Sequence, residues 1–158
     1  MKLFHGTNIH FEKIDLSISK PNKDFGQGFY LSPCYEQALN MAKIKVEQLQ
    51  EGVPLVMTYE LNEAALAKLN VKRFDEYTEE WAKFILANRN NKTNTPVHSY
   101  DIVIGPIADD RVGVQLWKYE NQLIDLPTLV NKLKYMKGIT IQYFFGTEDA
   151  LNILKRID

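Results

Sequence analysis

Between Asp24 and Ser32 the chain reads DFGQGFYLS, which places Gly26 and Gly28 directly ahead of the aromatic pair Phe29 and Tyr30. Glycine has no Cβ, so it relaxes the steric limits on φ and lets the backbone come close to a neighbour. Two glycines so close together make a sharp loop that presents the rings behind them at a fixed place. Taken alone, the stretch is equally the pattern of a tight turn with two core aromatics. Its meaning rests on what the rest of the chain brings to it.

At 158 residues the expectation is one compact domain spanning the whole sequence, long enough to bury a core without disulfides or metals. Nineteen Lys and Arg against twenty Asp and Glu leave a formal charge of -1, so the overall charge points to neither a nucleic-acid nor a membrane partner. The one cysteine, Cys34, has no partner for an internal disulfide and fits a reducing cytosol. Beside Pro33 and Tyr35 it reads as a packed helix-start residue rather than a nucleophile. No apolar run approaches a membrane span, and Met1 to Ile14 lacks the apolar core of a signal peptide, so the expected location is cytoplasmic.

Taken in order, Lys2 to His5 forms a short strand broken at Gly6 and Thr7, so that HGT reads as a turn that builds a site. A surface connection then leads to the glycine loop. Ser32 and Pro33 give a helix start, and Tyr35, Ala38, Leu39, Ala42, Val46 and Leu49 recur at helical spacing up to a stop at Gly52. Val53 to Leu61 alternates as a half-buried strand. Asn62 caps a short helix, Val71 to Phe74 forms a second short strand, and a helix follows with Tyr77, Trp81, Phe84 and Ile85 on one core-facing side. Arg89 to Ser99 is polar and interrupted by Pro96; it reads as a mobile loop in which His98 is solvated.

The later half holds a strand buried on both faces, Tyr100 to Pro106, followed by Asp109 and Asp110, which suit either a turn cap or a metal or substrate contact. Val112 to Ile124 has no clear period. A helix from Leu126, capped by Asp125, precedes the strand Ile139 to Phe145 with Gln142 at its middle, and Thr147 caps a last helix.

Three residues stand out: His5 after the first strand, Tyr30 after the glycine loop, and Gln142 in the last strand. Their order and settings resemble the His, Tyr and Glu signature of the ADP-ribosyltransferase superfamily. HGT is similar to its His-Gly-Ser/Thr turn, FGQGFYLS to its Phe-Gly-x-Gly-hydrophobic-Tyr segment, and IQYFF to the strand that bears its catalytic glutamate, with Gln142 at the glutamate position. Together with YDIVIGPIADDRV and QYFFGTEDAL, these stretches resemble a prokaryotic branch of the diphtheria-toxin-like and poly(ADP-ribose)-polymerase-like members.

The resemblance implies an α+β fold, a split pair of small, mainly antiparallel sheets with helices outside and an NAD cleft between them. It implies NAD as substrate, with no metal. By the same resemblance His5, Gly6, Thr7, Gly28, Phe29 and Tyr30 hold NAD: His5 bonds the adenine-side ribose, the Gly6 backbone holds the nicotinamide carboxamide, and Tyr30 stacks on the nicotinamide ring. Polymerase-type relatives carry a second tyrosine eleven residues after the first, a register that gives Met41 here. With His5, Tyr30 and Gln142 as catalytic residues, the implied activity is transfer of one ADP-ribose to a protein or nucleic-acid acceptor, as in toxins or phage-defence factors, with an antitoxin as a further partner. The alternatives are a catalytically weak NAD- or ADP-ribose-binding module and an NAD glycohydrolase; a 2′-phosphotransferase is disfavoured because no Arg lies beside His5.

Overall fold

Residue alternation along the strands sorts the side chains into layers. A computed structural model describes all of residues 1–158. β1 (Lys2–Thr7), β3 (Leu55–Leu61) and β7 (Leu154–Arg156) form one antiparallel sheet in the order β1-β3-β7. β2 (Phe29–Leu31), β6 (Ile141–Phe145), β5 (Ile102–Pro106) and β4 (Val71–Arg73) form the second in the order β2-β6-β5-β4. Its pairs are antiparallel except β4 with β5, which run parallel. The protein is therefore α+β, with two sheets and several helices.

One face of each sheet points at the other. Leu3, Met57, Tyr59 and Leu61 from the first sheet meet Phe29, Leu31, Ile102, Ile104, Tyr143 and Phe145 from the second in a single buried cluster. The far face of the second sheet, carrying Val103 and Phe144, packs on α2 (Glu79–Arg89), α3 (Asp110–Glu120) and α4 (Leu126–Lys134) through Trp81, Ile85, Val112, Leu116, Leu129 and Leu133. The far face of the first sheet is covered by α1 (Tyr35–Leu49), which buries Ala38 and Ala42. The order of layers is helix, sheet, sheet, helices. The sheets are also tied edge to edge: Phe4 of β1 bridges Ser32 just after β2, with both N–H···O bonds at 2.8 Å.

Three of the expected side-chain caps form, whereas Asn62 makes no cap bond ahead of the short helix Glu63–Lys68. Asp109, Asp125 and Thr147 accept from Val112, Thr128 and Ala150 N–H at the starts of α3, α4 and α5 (Glu148–Leu151). Asp109 is thus a cap, further held by Arg111 at 2.9 Å.

Several expectations are corrected. Gly6 and Thr7 do not form a turn but continue β1, because α1 lies on that strand and needs a residue without a side chain there. α1 starts at Tyr35 with Cys34 as its cap residue; Ser32 instead takes the Cys34 N–H on its hydroxyl and remains in the bridge to β1. Cys34 is exposed rather than packed, as are Tyr35 and Leu49, since only the small Ala38 and Ala42 fit flush against β1. Gln142 is the second residue of β6 rather than its midpoint. No helix is long and apolar enough to cross a membrane.

Candidate functional site

The glycine loop is folded around the Tyr30 side chain. Its hydroxyl donates to the Gly26 carbonyl at 2.7 Å and accepts the Phe25 N–H at 3.0 Å. The ring stacks on Phe25 and meets Phe144 edge-on, and burial pushes the phenol up, so it stays protonated. Gly28 is needed for space: a Cβ there would lie 2.3 Å from the Phe144 ring and 2.6 Å from the Phe145 carbonyl.

His98 closes the same loop from the other side, and its solvated reading is corrected. It is half-buried, donates from Nε2 to the Phe25 carbonyl at 2.7 Å, and accepts the Tyr100 N–H on Nδ1 at 3.1 Å. Both ring nitrogens are used, which fixes the neutral tautomer. Phe25 sits where these clasps converge, so the loop is held from both Tyr30 and His98. The Asp24–Arg89 ion pair, at 2.7 Å, ties it to α2.

His5 lies beside Tyr30 through the backbone. Its Nδ1 is 2.8 Å from the Tyr30 carbonyl, which can only accept, so Nδ1 carries the proton and Nε2 keeps its lone pair. The ring rests on Phe29 at 4.3 Å between centroids. Burial above all, with the charges of Lys45 and Lys23, lowers its pKa to about 3, against the hydrogen bond to Tyr30. The folded chain therefore refuses a proton that the unfolded chain accepts below its ordinary value of 6.5. Between those two values stability falls as the pH drops, with a limiting slope of about 1.4 kcal/mol per pH unit from this residue. Urea denaturation across that window is expected to show the slope in the wild type and to lose one proton's worth of it in His5→Gln, which retains a donor for the carbonyl. Equal slopes would mean that the ring is solvated.

Gln142 shares a face with Tyr30. Tyr30 pairs with Phe144 across β2 and β6, and Gln142 is two residues along on the same side, a diagonal neighbour at about 7–8 Å. Across β5 it faces Gly105, so no side chain competes for its space from that strand. Its Nε2 is buried and has no hydrogen-bond partner. An orphaned buried donor costs about 1–3 kcal/mol, which a bound acceptor would recover.

The remaining predicted contacts divide. Phe29 is buried on the inter-sheet side beneath His5. Thr7 ends β1 and is buried, and its hydroxyl bonds the Ile9 backbone just beyond the strand. Met41 is exposed on α1, one turn ahead of Lys45. Thus His5, next to Gly6, meets the Tyr30 backbone at the joint between the sheets, while the Tyr30 ring lies with Phe144 on the helix-packed face of the second sheet and Gln142 follows along that face; Phe29 and Thr7 are taken up by the fold. His5 and Gln142 leave their sheets on different sides of β2, since His5 rests on Phe29 while Gln142 shares the Tyr30 face.

Two lysines escape the motif reading. Lys45 donates from Nζ to the Gly6 carbonyl at 2.8 Å, and Lys23 holds its ammonium 5.3 Å from the Tyr30 ring centroid. A lysine within a helix or before a loop reads as solvated surface; the i, i+4 spacing of Met41 and Lys45 was the one available signal. A cavity of about 600 Å³ opens behind the glycine loop, between Gly26, Asn88, His98, Tyr100 and Phe144. Its lining includes neither His5 nor Gln142. No cluster of three or more His, Cys, Asp or Glu side chains is placed to hold a metal ion.

Residues 1–156 match the family described as "Protein of unknown function (DUF3990)". No curated protein and no solved structure matches the chain.

Proposed function

The chain belongs to the DUF3990 family; from the His5, Tyr30 and Gln142 motifs we propose that it is an NAD-dependent mono-ADP-ribosyltransferase acting in the cytoplasm, with a split-sheet arrangement of the ADP-ribosyltransferase type. The observation that carries this reading is the His5 Nδ1 bond to the Tyr30 carbonyl, which joins two of the three motif residues, with the buried Gln142 amide on the Tyr30 face beside them. In the proposed reaction, Tyr30 stacks on the nicotinamide ring, and the His5 Nε2 lone pair accepts a hydroxyl of the adenine-side ribose. The Gln142 amide orients the ribose at the nicotinamide end. The bond between ribose C1′ and the nicotinamide nitrogen breaks, and nicotinamide leaves neutral with the electron pair. The acceptor's nucleophilic atom, on protein or nucleic acid, bonds to C1′ and gives up its proton. Shielding from water favours departure of a neutral ring from a cationic sugar. A role as toxin or phage-defence factor, with an antitoxin as partner, follows by analogy alone.

A second reading, a binding module that holds NAD or ADP-ribose without turning it over, is favoured by Gln142 itself, since an amide supplies neither a negative charge nor a base.

The test is a time course with adenylate-labelled NAD in a lysate of the source cell, scoring free nicotinamide and label on macromolecules. Because the Tyr30 hydroxyl also clasps the loop, Tyr30→Phe is compared with Tyr30→Ala. Stacking and ring burial together are worth about 2–4 kcal/mol, so Tyr30→Ala is expected to lose roughly 10²-fold or more in transfer while Tyr30→Phe retains most of it. Nicotinamide release without transfer would make the protein a glycohydrolase. NAD binding without turnover would overturn the enzyme reading in favour of the binding module.

A further inference from the structure

We propose that Lys23 and Lys45 form an anion-binding pair beside His5 and Tyr30 that takes the diphosphate of a dinucleotide; the inference rests on the NAD reading of this site and assigns it a charge requirement. Lys45 reaches back from α1 to the Gly6 carbonyl of β1. Lys23 reaches forward from the start of the glycine loop to the Tyr30 ring. The His5 ring is bonded to the backbone of the same tyrosine. Neither ammonium has a carboxylate partner: the ion pairs of the chain use other lysines, and Asp24, next to Lys23, is taken by Arg89.

Flexible lysines with no reason to meet would separate into water. Here Lys45 is half-buried and fixed by a hydrogen bond. Lys23, though exposed along the side chain, has its charge against an aromatic face. Each bears the electrostatic mark of crowding. Burial first, then Lys23, lowers the Lys45 pKa to about 8; burial, then Lys20, lowers that of Lys23, with Asp24 opposing. Both ammoniums act on the His5 ring, and Lys23 acts on Lys45; positive charge that Asp24 offsets only in part is stabilised by a polyanion, and two neighbouring ammoniums suit the two linked phosphates of a diphosphate. To bind, the amines leave the Gly6 carbonyl and the Tyr30 ring, which frees the two groups that the NAD reading assigns to the nicotinamide end.

Calorimetry with inorganic pyrophosphate and with NAD tests this on the wild type and on Lys23→Gln, Lys45→Gln and Lys45→Arg, with Lys134→Gln at the exposed end of α4 as a surface control. Pyrophosphate is expected to bind the wild type and Lys134→Gln alike. Each glutamine variant at 23 or 45 is expected to weaken both ligands by about tenfold, and Lys45→Arg to restore most of the affinity. Folding of each variant is checked by its urea midpoint, and Lys23→Gln, which changes an exposed side chain, keeps the test open where Lys45→Gln misfolds. Wild-type affinity for NAD in both glutamine variants would overturn the anion pair and leave the NAD reading standing. Lysine-dependent pyrophosphate binding, with NAD no tighter and insensitive to Tyr30→Ala, would uphold the anion pair and overturn the NAD reading. Failure of pyrophosphate to bind the wild type would overturn the proposal.

Discussion

Gly6→Ala is expected to destabilise the protein by about 3 kcal/mol or more, enough to leave much of it unfolded. A Cβ at this position would lie 1.9 Å from the Ala38 carbonyl oxygen and 2.9 Å from the Ala42 nitrogen. Both are backbone atoms of α1, so no rotamer change relieves the contact, and the helix as a whole would have to lift off β1. Such a lift would expose Ala38 and Ala42 and break the Lys45 bond to the Gly6 carbonyl. Urea denaturation gives the loss directly; a wild-type midpoint would mean that α1 does not rest on β1 at Gly6. The result bears on how a loss of NAD binding in this variant is read. Gly6 is placed by resemblance in the nicotinamide contact, yet its missing side chain is already required by helix packing. Loss of ligand binding in Gly6→Ala that tracks loss of fold would say nothing about the ligand, whereas Lys45→Gln leaves the glycine and the helix backbone in place.

Gln142→Glu is expected to raise the rate of nicotinamide release. A charge-assisted hydrogen bond to the ribose hydroxyl is worth about 1 kcal/mol more than a neutral one, hence roughly tenfold. A carboxylate that also takes a proton would add about 10²- to 10⁴-fold. The exchange adds no volume, because glutamate matches glutamine in size, and it leaves Phe25 and Phe74 in place over Gly105 opposite. The measurement is single-turnover nicotinamide release at saturating NAD, with the urea midpoint as a control on folding. An unchanged rate in a folded variant would place residue 142 away from the reacting sugar. The gain would show that the scaffold supports transfer; the wild-type time course decides what the native protein does.

What could be read from the sequence was mostly what local physics decides. Asp109, Asp125 and Thr147 cap helices because a short acceptor side chain ahead of a helix satisfies free N–H groups wherever it occurs. Leu55 to Leu61 alternates because the strand divides one face from the other. What stayed hidden depends on distant partners. β7 is only Leu-Lys-Arg, with no apolar pattern to mark it; it exists because β3 offers an open edge at Tyr59 to Leu61. α3 lacked a clear period because Gly113 interrupts it and Val114 and Trp117 are exposed, blurring the stripe set by Val112 and Leu116. His98 sits in a polar stretch but is gripped by Phe25 and Tyr100, from segments far from and next to it in the chain. The candidate site was legible in part for the same reason. His5 and Tyr30 announce themselves through their glycines, whereas the positions of Lys23 and Lys45 depend on how α1 and the loop meet.

The apolar cluster shared by the two sheets also sets how anything reaches the joint beside it. Leu3, Met57 and Tyr59 are locked against Phe29, Leu31 and Phe145, so the sheets cannot part without exposing that cluster to water. Entry is left to side chains at the rim. An exposed lysine changes rotamer in picoseconds to nanoseconds, whereas rigid bodies swing apart in microseconds to milliseconds. On the proposed NAD reading, capture at the Lys23 and Lys45 rim is thus governed by the collision and by the field that guides it, and only the later approach to the buried Gln142 amide waits on side chains that cover it.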